Sequence, residues 1–165
     1  MSYLVTDNFS TLKIDLLTPY NINGSGVFLL RPPATFETDI SATTGGTQIT
    51  LNSGSSYYLE ASIQPRNSSR NGEMTAQFYN VTSSQYIGRE VYFNFATSYA
   101  YVGRVGRKVA SALILDSDIS TSMVIDLRRT SQTGSNWSYS ITTDVGIDGF
   151  NYVGYPSIRV WQLPS

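Results

Sequence analysis

The chain has 165 residues with 11 Lys+Arg, 12 Asp+Glu, no His and no Cys, a length that suits one domain. The two zeros exclude a disulfide framework, a thiolate nucleophile, an imidazole base, a Ser-His-Asp triad and any zinc site built on thiolate or imidazole. A net charge of −1 offers nucleic acid no basic footprint, and no apolar run approaches the roughly 18–20 residues that span a bilayer.

Residues 1–20 are expected to be an N-terminal arm or first strand contacting a neighbour, and 21–165 a β-sandwich. Within the first fifty residues, 13–17 and 27–30 have strand composition, and Arg31-Pro32-Pro33 must break pairing because proline cannot donate to a ladder. Residues 47–51 lead through a Ser-Gly turn into the clearest run, 57–65. There Tyr57, Leu59, Ala61 and Ile63 share one face, and Tyr58, Glu60, Ser62 and Gln64 the other. Residues 67–72 read as a polar loop with an Asn-Gly turn signal. Strands are expected at 74–81, 90–95, 108–115, 122–129, 137–143 and 157–163, with 144–149 loop-like. No segment of ten residues keeps a helical period. An antiparallel all-β sandwich or barrel follows.

Charged residues make up 14 % of the chain, against about 25 % in ordinary globular domains. Their place is taken by 23 Ser, 17 Thr and 12 Tyr. Asp116-Ser117-Asp118-Ile119-Ser120 opens like a calcium loop. It then has Thr121 where the tight turn needs Gly and Leu127 where a bidentate carboxylate belongs. Asp144 and Asp148 around Gly146 are what any loop uses. Glycoside hydrolysis needs two carboxylates flanking one bond. The four Glu and eight Asp lie mostly at turns and strand surfaces, with no pair set in an apolar pocket. No metal, no cofactor and no enzymatic activity are expected, and the first seven residues lack the basic and apolar regions of a secretory signal.

Contact residues are expected instead. Residues 86–101 hold Tyr86, Tyr92, Phe93, Phe95, Tyr99 and Tyr101. Adjacent aromatics in a strand point to opposite faces, so one set is exposed unless a second subunit covers it or a bulge folds both into one core. Met123-Val124-Ile125 poses the same question and makes Val124 an interface candidate; Trp161 of the last strand is another. Arg104 and Arg107, set among Gly103 and Gly106, suit acidic patches on a partner. Tyr3, Leu4 and Phe9 are the arm residues expected to dock.

Several stretches together carry a resemblance. Thr50-Leu51-Asn52-Ser53-Gly54-Ser55-Ser56-Tyr57-Tyr58-Leu59-Glu60-Ala61 resembles the strand that opens the central sheet of tumour-necrosis-factor-like and complement-globular-head-like jelly rolls. Gln77-Phe78-Tyr79-Asn80-Val81-Thr82 with Tyr86-Ile87-Gly88 resembles a hairpin of phage versions of that domain, and Ser157 to Pro164 is similar to their closing strand. The resemblance covers 47–165 and implies a TNF-like jelly roll, a homotrimer, carried on a tailed-phage virion. With the domain filling nearly the whole sequence, it implies a capsid decoration (cement) protein. Such a protein is made in the host cytoplasm, sits on the capsid exterior and contacts the major capsid protein or another virion protein, with no nucleic-acid or membrane partner. The alternative is a receptor- or glycan-binding head of a tail or head fibre.

Overall fold

In residues 56–63 every second side chain is buried. Tyr57, Leu59, Ala61 and Ile63 point inward, while Tyr58, Glu60 and Ser62 point out. This is the period of two that a half-buried strand requires. The computed structural model describes residues 10–16, 26–28, 30–31, 40–42, 46–63, 65–67, 71–96, 103–104, 108–133, 137–139, 142–145, 151–154 and 157–163. Side chains are placed at 26–28, 40, 46–63, 72–94, 109–133 and 157–163.

The strands are β1 (Ser10–Leu16), β2 (Leu30–Arg31), β3 (Ile40–Ala42), β4 (Ile49–Asn52), β5 (Ser56–Ile63), β6 (Pro65–Asn67), β7 (Asn71–Asn80) and β8 (Gln85–Ala96). They continue as β9 (Gly103–Arg104), β10 (Lys108–Ile114), β11 (Ser122–Gln132), β12 (Trp137–Tyr139), β13 (Thr142–Val145), β14 (Asn151–Gly154) and β15 (Ser157–Leu163). Ten of them form one antiparallel sheet in the order β2-β1-β15-β5-β10-β8-β7-β11-β4-β3. A three-stranded sheet, β12-β6-β9, and the β13-β14 ribbon complete the described residues.

The long sheet folds over on itself. Its two five-stranded halves meet where β10 and β8 share a single residue pair, Ser111 with Arg89. One core cluster then draws side chains from both halves: Tyr57, Leu59, Ile63, Ala110 and Val160 from the first, Ile49, Leu51, Met74, Phe78, Phe93, Ile125 and Leu127 from the second. Burying each large aliphatic or phenylalanine side chain contributes roughly 1.5–3 kcal/mol. Tyr57 is wholly buried and its hydroxyl donates to the Asn52 carbonyl at 2.8 Å, so its polar end is satisfied as burial demands.

Two irregularities interrupt the ladder of the second half-sheet. Between Ala76–Val91 and Phe78–Ile87, β7 supplies one residue and β8 supplies three, Gly88, Arg89 and Glu90. In β11, Thr130 is the extra residue between Arg129 and Ser131 opposite Ala76 and Thr75. Bulges bend a strand and increase its twist, and here they fall beside one another across β11, β7 and β8. At the first, the Gln77 side-chain amide donates to the Gly88 carbonyl at 2.8 Å, replacing a ladder bond. Gly88 itself has φ +70°. A Cβ there would overlap the Ser111 carbonyl and come within 2.5 Å of the Ala112 Cβ.

The segment expected as one strand at 27–30 is split between the halves. Phe28 donates to the Leu127 carbonyl at 3.0 Å and Arg129 to the Gly26 carbonyl at 2.9 Å, which lays 26–28 along β11. Leu30–Arg31, by contrast, pairs with β1. Of the expected arm, 1–9 and 17–20 lie outside the described residues, and Ser10–Leu16 pairs with β15 inside the sheet. Residues 67, 71 and 72 of the expected polar loop are strand, as are 144–145 of the loop-like segment.

Gly88→Ala combines left-handed strain with a clash against backbone, so it is expected to cost roughly 2–4 kcal/mol. Gly54, with φ +100° and open space around its Cβ position, carries the strain alone. Gly54→Ala is therefore expected to cost only about 1–2 kcal/mol. Urea unfolding midpoints of the two variants check the contrast. Equal losses would show that the close approach at Gly88 does not hold the halves together.

Candidate interaction faces

The register of β15, β5 and β10 sets Trp161, Tyr58 and Leu113 in one row across the outer face of their half-sheet. The Trp161 and Tyr58 rings stack with centroids 5.5 Å apart at 35°. Leu113 is 59 % exposed and Leu115, just past the strand, 49 %. The next row is Arg159, Glu60 and Ser111, and the one after it Ser157, Ser62 and Val109. Glu60, Ser62, Val109 and Arg159 line a shallow depression of about 280 Å³. The Tyr58 hydroxyl donates to Glu60 Oε1 at 3.1 Å. Isolated exposed apolar residues are ordinary, whereas an adjoining set on one flat face marks an interaction surface.

The outer face of the other half is closed by its own polar contacts. Arg128 holds Asp126 with two parallel bonds of 2.7 and 2.8 Å, and its guanidinium carbon lies 3.5 Å from the centre of the Tyr79 ring. Tyr86 meets Tyr79 edge-on at 5.0 Å. The hydrogen bond to Asp126 raises the Arg128 pKa further, against the desolvation that lowers it. Along the bulges, Thr75 bonds Thr130 and Ser131, and Thr130 donates to Glu90. Tyr92 donates to Glu73 Oε1 at 2.6 Å, with Asn94 donating to both. The bond to Glu73, with some desolvation, holds the Tyr92 phenol above its ordinary pKa.

Asp116 and Asp118 serve a turn. Gly54 donates to Asp116 Oδ1 at 2.6 Å, Asp116 N–H donates to Ser56 Oγ at 3.0 Å, and Leu115 N–H donates to Asp118 Oδ2 at 3.1 Å. Among the described residues no group of three acidic side chains is placed to hold a metal ion.

The contact residues expected from sequence are dispersed. Trp161 is half-buried on the first outer face. Tyr92 is exposed on the second, and Phe93 beside it is fully buried in the core of its own chain. Val124 is half-buried, its N–H donating to Thr82 Oγ1 at 3.0 Å. Arg104 belongs to β9 and Phe95 to β8, their side chains being outside those placed. Tyr3, Leu4, Phe9, Tyr99, Tyr101 and Arg107 lie outside the described residues. Sequence reasoning missed Tyr58, Val109, Leu113 and Leu115. The available signal was the run Val-Ala-Ser-Ala-Leu-Ile-Leu at 109–115, apolar at both alternations, which is the mark of a strand covered on both faces.

Arg128→Met leaves Asp126, with its side chain 2 % exposed, without a cation. Breaking a buried pair costs 3–5 kcal/mol. With the Arg128 side chain 26 % exposed, the expected loss is roughly 2–4 kcal/mol. Urea unfolding should also show Asp126→Asn in the same chain recovering part of it. The Tyr92 contact favours the neutral phenol. Its contribution is therefore complete below the ordinary tyrosine pKa and is lost as pH rises through the raised value. An alkaline absorbance titration of Tyr92→Phe against the parent should lack one late-ionising tyrosine; loss of an early one would refute the contact.

No protein-family model and no curated protein sequence matches the chain. Eiger TNF from S. frugiperda aligns with 95 % of this chain and 94 % of its own, at TM-score 0.60 and 10 % identity. The crystal structure of murine APRIL at pH 8.0 aligns with 94 % of this chain and 99 % of its own, at TM-score 0.50 and 8 % identity. At such identities the likeness is one of fold. Together with the strand order and the shared core, it makes the chain a TNF-like antiparallel jelly roll.

Proposed function

We propose that this chain is a non-enzymatic structural protein of a tailed-phage virion. In this reading it is a capsid decoration (cement) protein, made in the host cytoplasm, that trimerises and stabilises the shell from its exterior. The observation that supports assembly most is the outer face of β15, β5 and β10, where Trp161, Tyr58 and Leu113 adjoin and Leu113 is 59 % exposed. A second copy removes that surface from water, and repetition of one head-to-tail contact closes a ring when the rotation permits. The virion assignment rests on the resemblance of the 77–88 hairpin and the 157–164 strand to phage jelly rolls. Among the charged side chains placed, Asp126, Asp116, Asp118, Glu73 and Glu90 are engaged in structural contacts, which supports a binding role over catalysis. Residues 1–9, with Tyr3, Leu4 and Phe9, are the segment assigned to the shell, since their removal spares β1. Binding only the assembled shell stabilises it by mass action.

A second reading, a receptor- or glycan-binding head, draws on the exposed Tyr86 and Tyr92 rings of β8 with Glu73 and Asn94 beside them. Glycan-array binding abolished by Tyr92→Ala would favour it over the first.

Light scattering of the purified chain should give three times 18.2 kDa, and Leu113→Asp should give a folded monomer. A monomeric parent would overturn the assembly reading. Virions lacking the protein should release their genome at a lower temperature than complete ones, and equal melting would remove the cement role.

A further inference from the structure

The row beside the apolar one carries both signs of charge. Arg159 and Glu60 are direct cross-strand neighbours on β15 and β5, and both border the depression with Ser62 and Val109. Arg159 is exposed, and among the described residues no carboxylate pairs with it. Glu60 is half-buried and already oriented, one oxygen receiving the Tyr58 hydroxyl while the Tyr58 ring rests on Trp161. A carboxylate held at the edge of a recess, next to a cation that no described carboxylate pairs, complements a rotated copy of itself.

We infer that, in the assembly, Arg159 of one copy enters the depression of the next and pairs with its Glu60. This rests on the self-association through the same face proposed above, and it names the contact that sets the geometry. Apolar contact is non-directional, so the Trp161–Tyr58–Leu113 row holds copies together without choosing an angle. The charged row chooses. A docking angle that apposes Arg159 to Arg159 buries like charges, and one that misses Glu60 leaves a desolvated carboxylate without a cation. A guanidinium also suits the recess, because its planar fork engages a carboxylate while its stem packs along Val109.

The test uses the full chain in four forms: the parent, Glu60→Arg, Arg159→Glu and the double exchange. Sedimentation equilibrium gives each assembly constant at low salt and in 1 M NaCl, and circular dichroism checks folding. Each single exchange should weaken assembly roughly tenfold or more. The double exchange should restore it to within about threefold of the parent, and the parent should weaken in high salt. Single exchanges that assemble like the parent, or a double exchange no better than the singles, would overturn the ion pair. If the parent still assembles and Leu113→Asp still dissociates it, that result leaves the assembly reading standing. A monomeric parent overturns both.

Discussion

The close approach at Gly88 is the constraint on which the rest of the structure depends. At that point β8 stops pairing with β7, carries three residues past one, and touches β10 through Arg89 and Ser111. A side chain at 88 would stand where the Ser111 carbonyl and Ala112 are, and the positive φ asks for glycine independently. Thr130 repeats the irregularity two strands away. The two irregularities thus lie on one line across β11, β7 and β8, while at the β10–β8 junction the halves turn so that Phe78 and Phe93 of one share a core cluster with Leu59 and Ala110 of the other. The unpaired groups along the line are met by side chains: Gln77 serves the Gly88 carbonyl, and Thr75, Thr130, Ser131 and Glu90 join one another.

That bend leaves two outer faces of opposite character. On β8, β7 and β11, acids, hydroxyls and tyrosines are tied among themselves, from Glu73–Tyr92–Asn94 through the threonines to Asp126–Arg128–Tyr79. Such a face is satisfied without a partner. On β15, β5 and β10 an outward row of two rings and a leucine lies beside Glu60 and Arg159, and among the described residues no carboxylate pairs with Arg159. The difference arises in the inward residues as much as the outward ones. In β10 the inward positions hold Ala110, Ala112 and Ile114, and Val109 and Leu113 point outward.

Strands with strict alternation were legible in the sequence, because a period of two against a core leaves little freedom of register. Residues 57–63 are such a segment. The opposition of Tyr92 and Phe93 was legible for the same reason. Elements of two to four residues, β3, β6, β9 and β14, were not, since no period can be read over so few positions. Residues 27–31 misled because one short apolar run serves two half-sheets. The apolar face was hidden in another way: 109–115 reads as a good strand whichever side faces the core, and only the partner strands decide. Gly88 looked like one letter of a hairpin motif, and its role depends on a contact with residues 111–112 that no local pattern contains.

The hydroxyl-rich, weakly charged composition acquires two meanings here. Part of it is internal, since Ser56, Thr82, Thr75, Thr130 and Ser131 complete turns and bulges. The rest is a consequence of sparing charge. With 11 basic and 12 acidic residues in the whole chain, like-charge repulsion between copies is weak, and little opposes association through an apolar face. Specificity in such a chain must come from a few charges placed well. Asp126 and Arg128 are already committed to each other, and Asp116 and Asp118 to a turn. Glu60 and Arg159, at the edge of the apolar row, have no ion-pair partner among the described residues. A nearly uncharged surface makes such a pair decisive, because few other electrostatic terms compete with it when two copies meet.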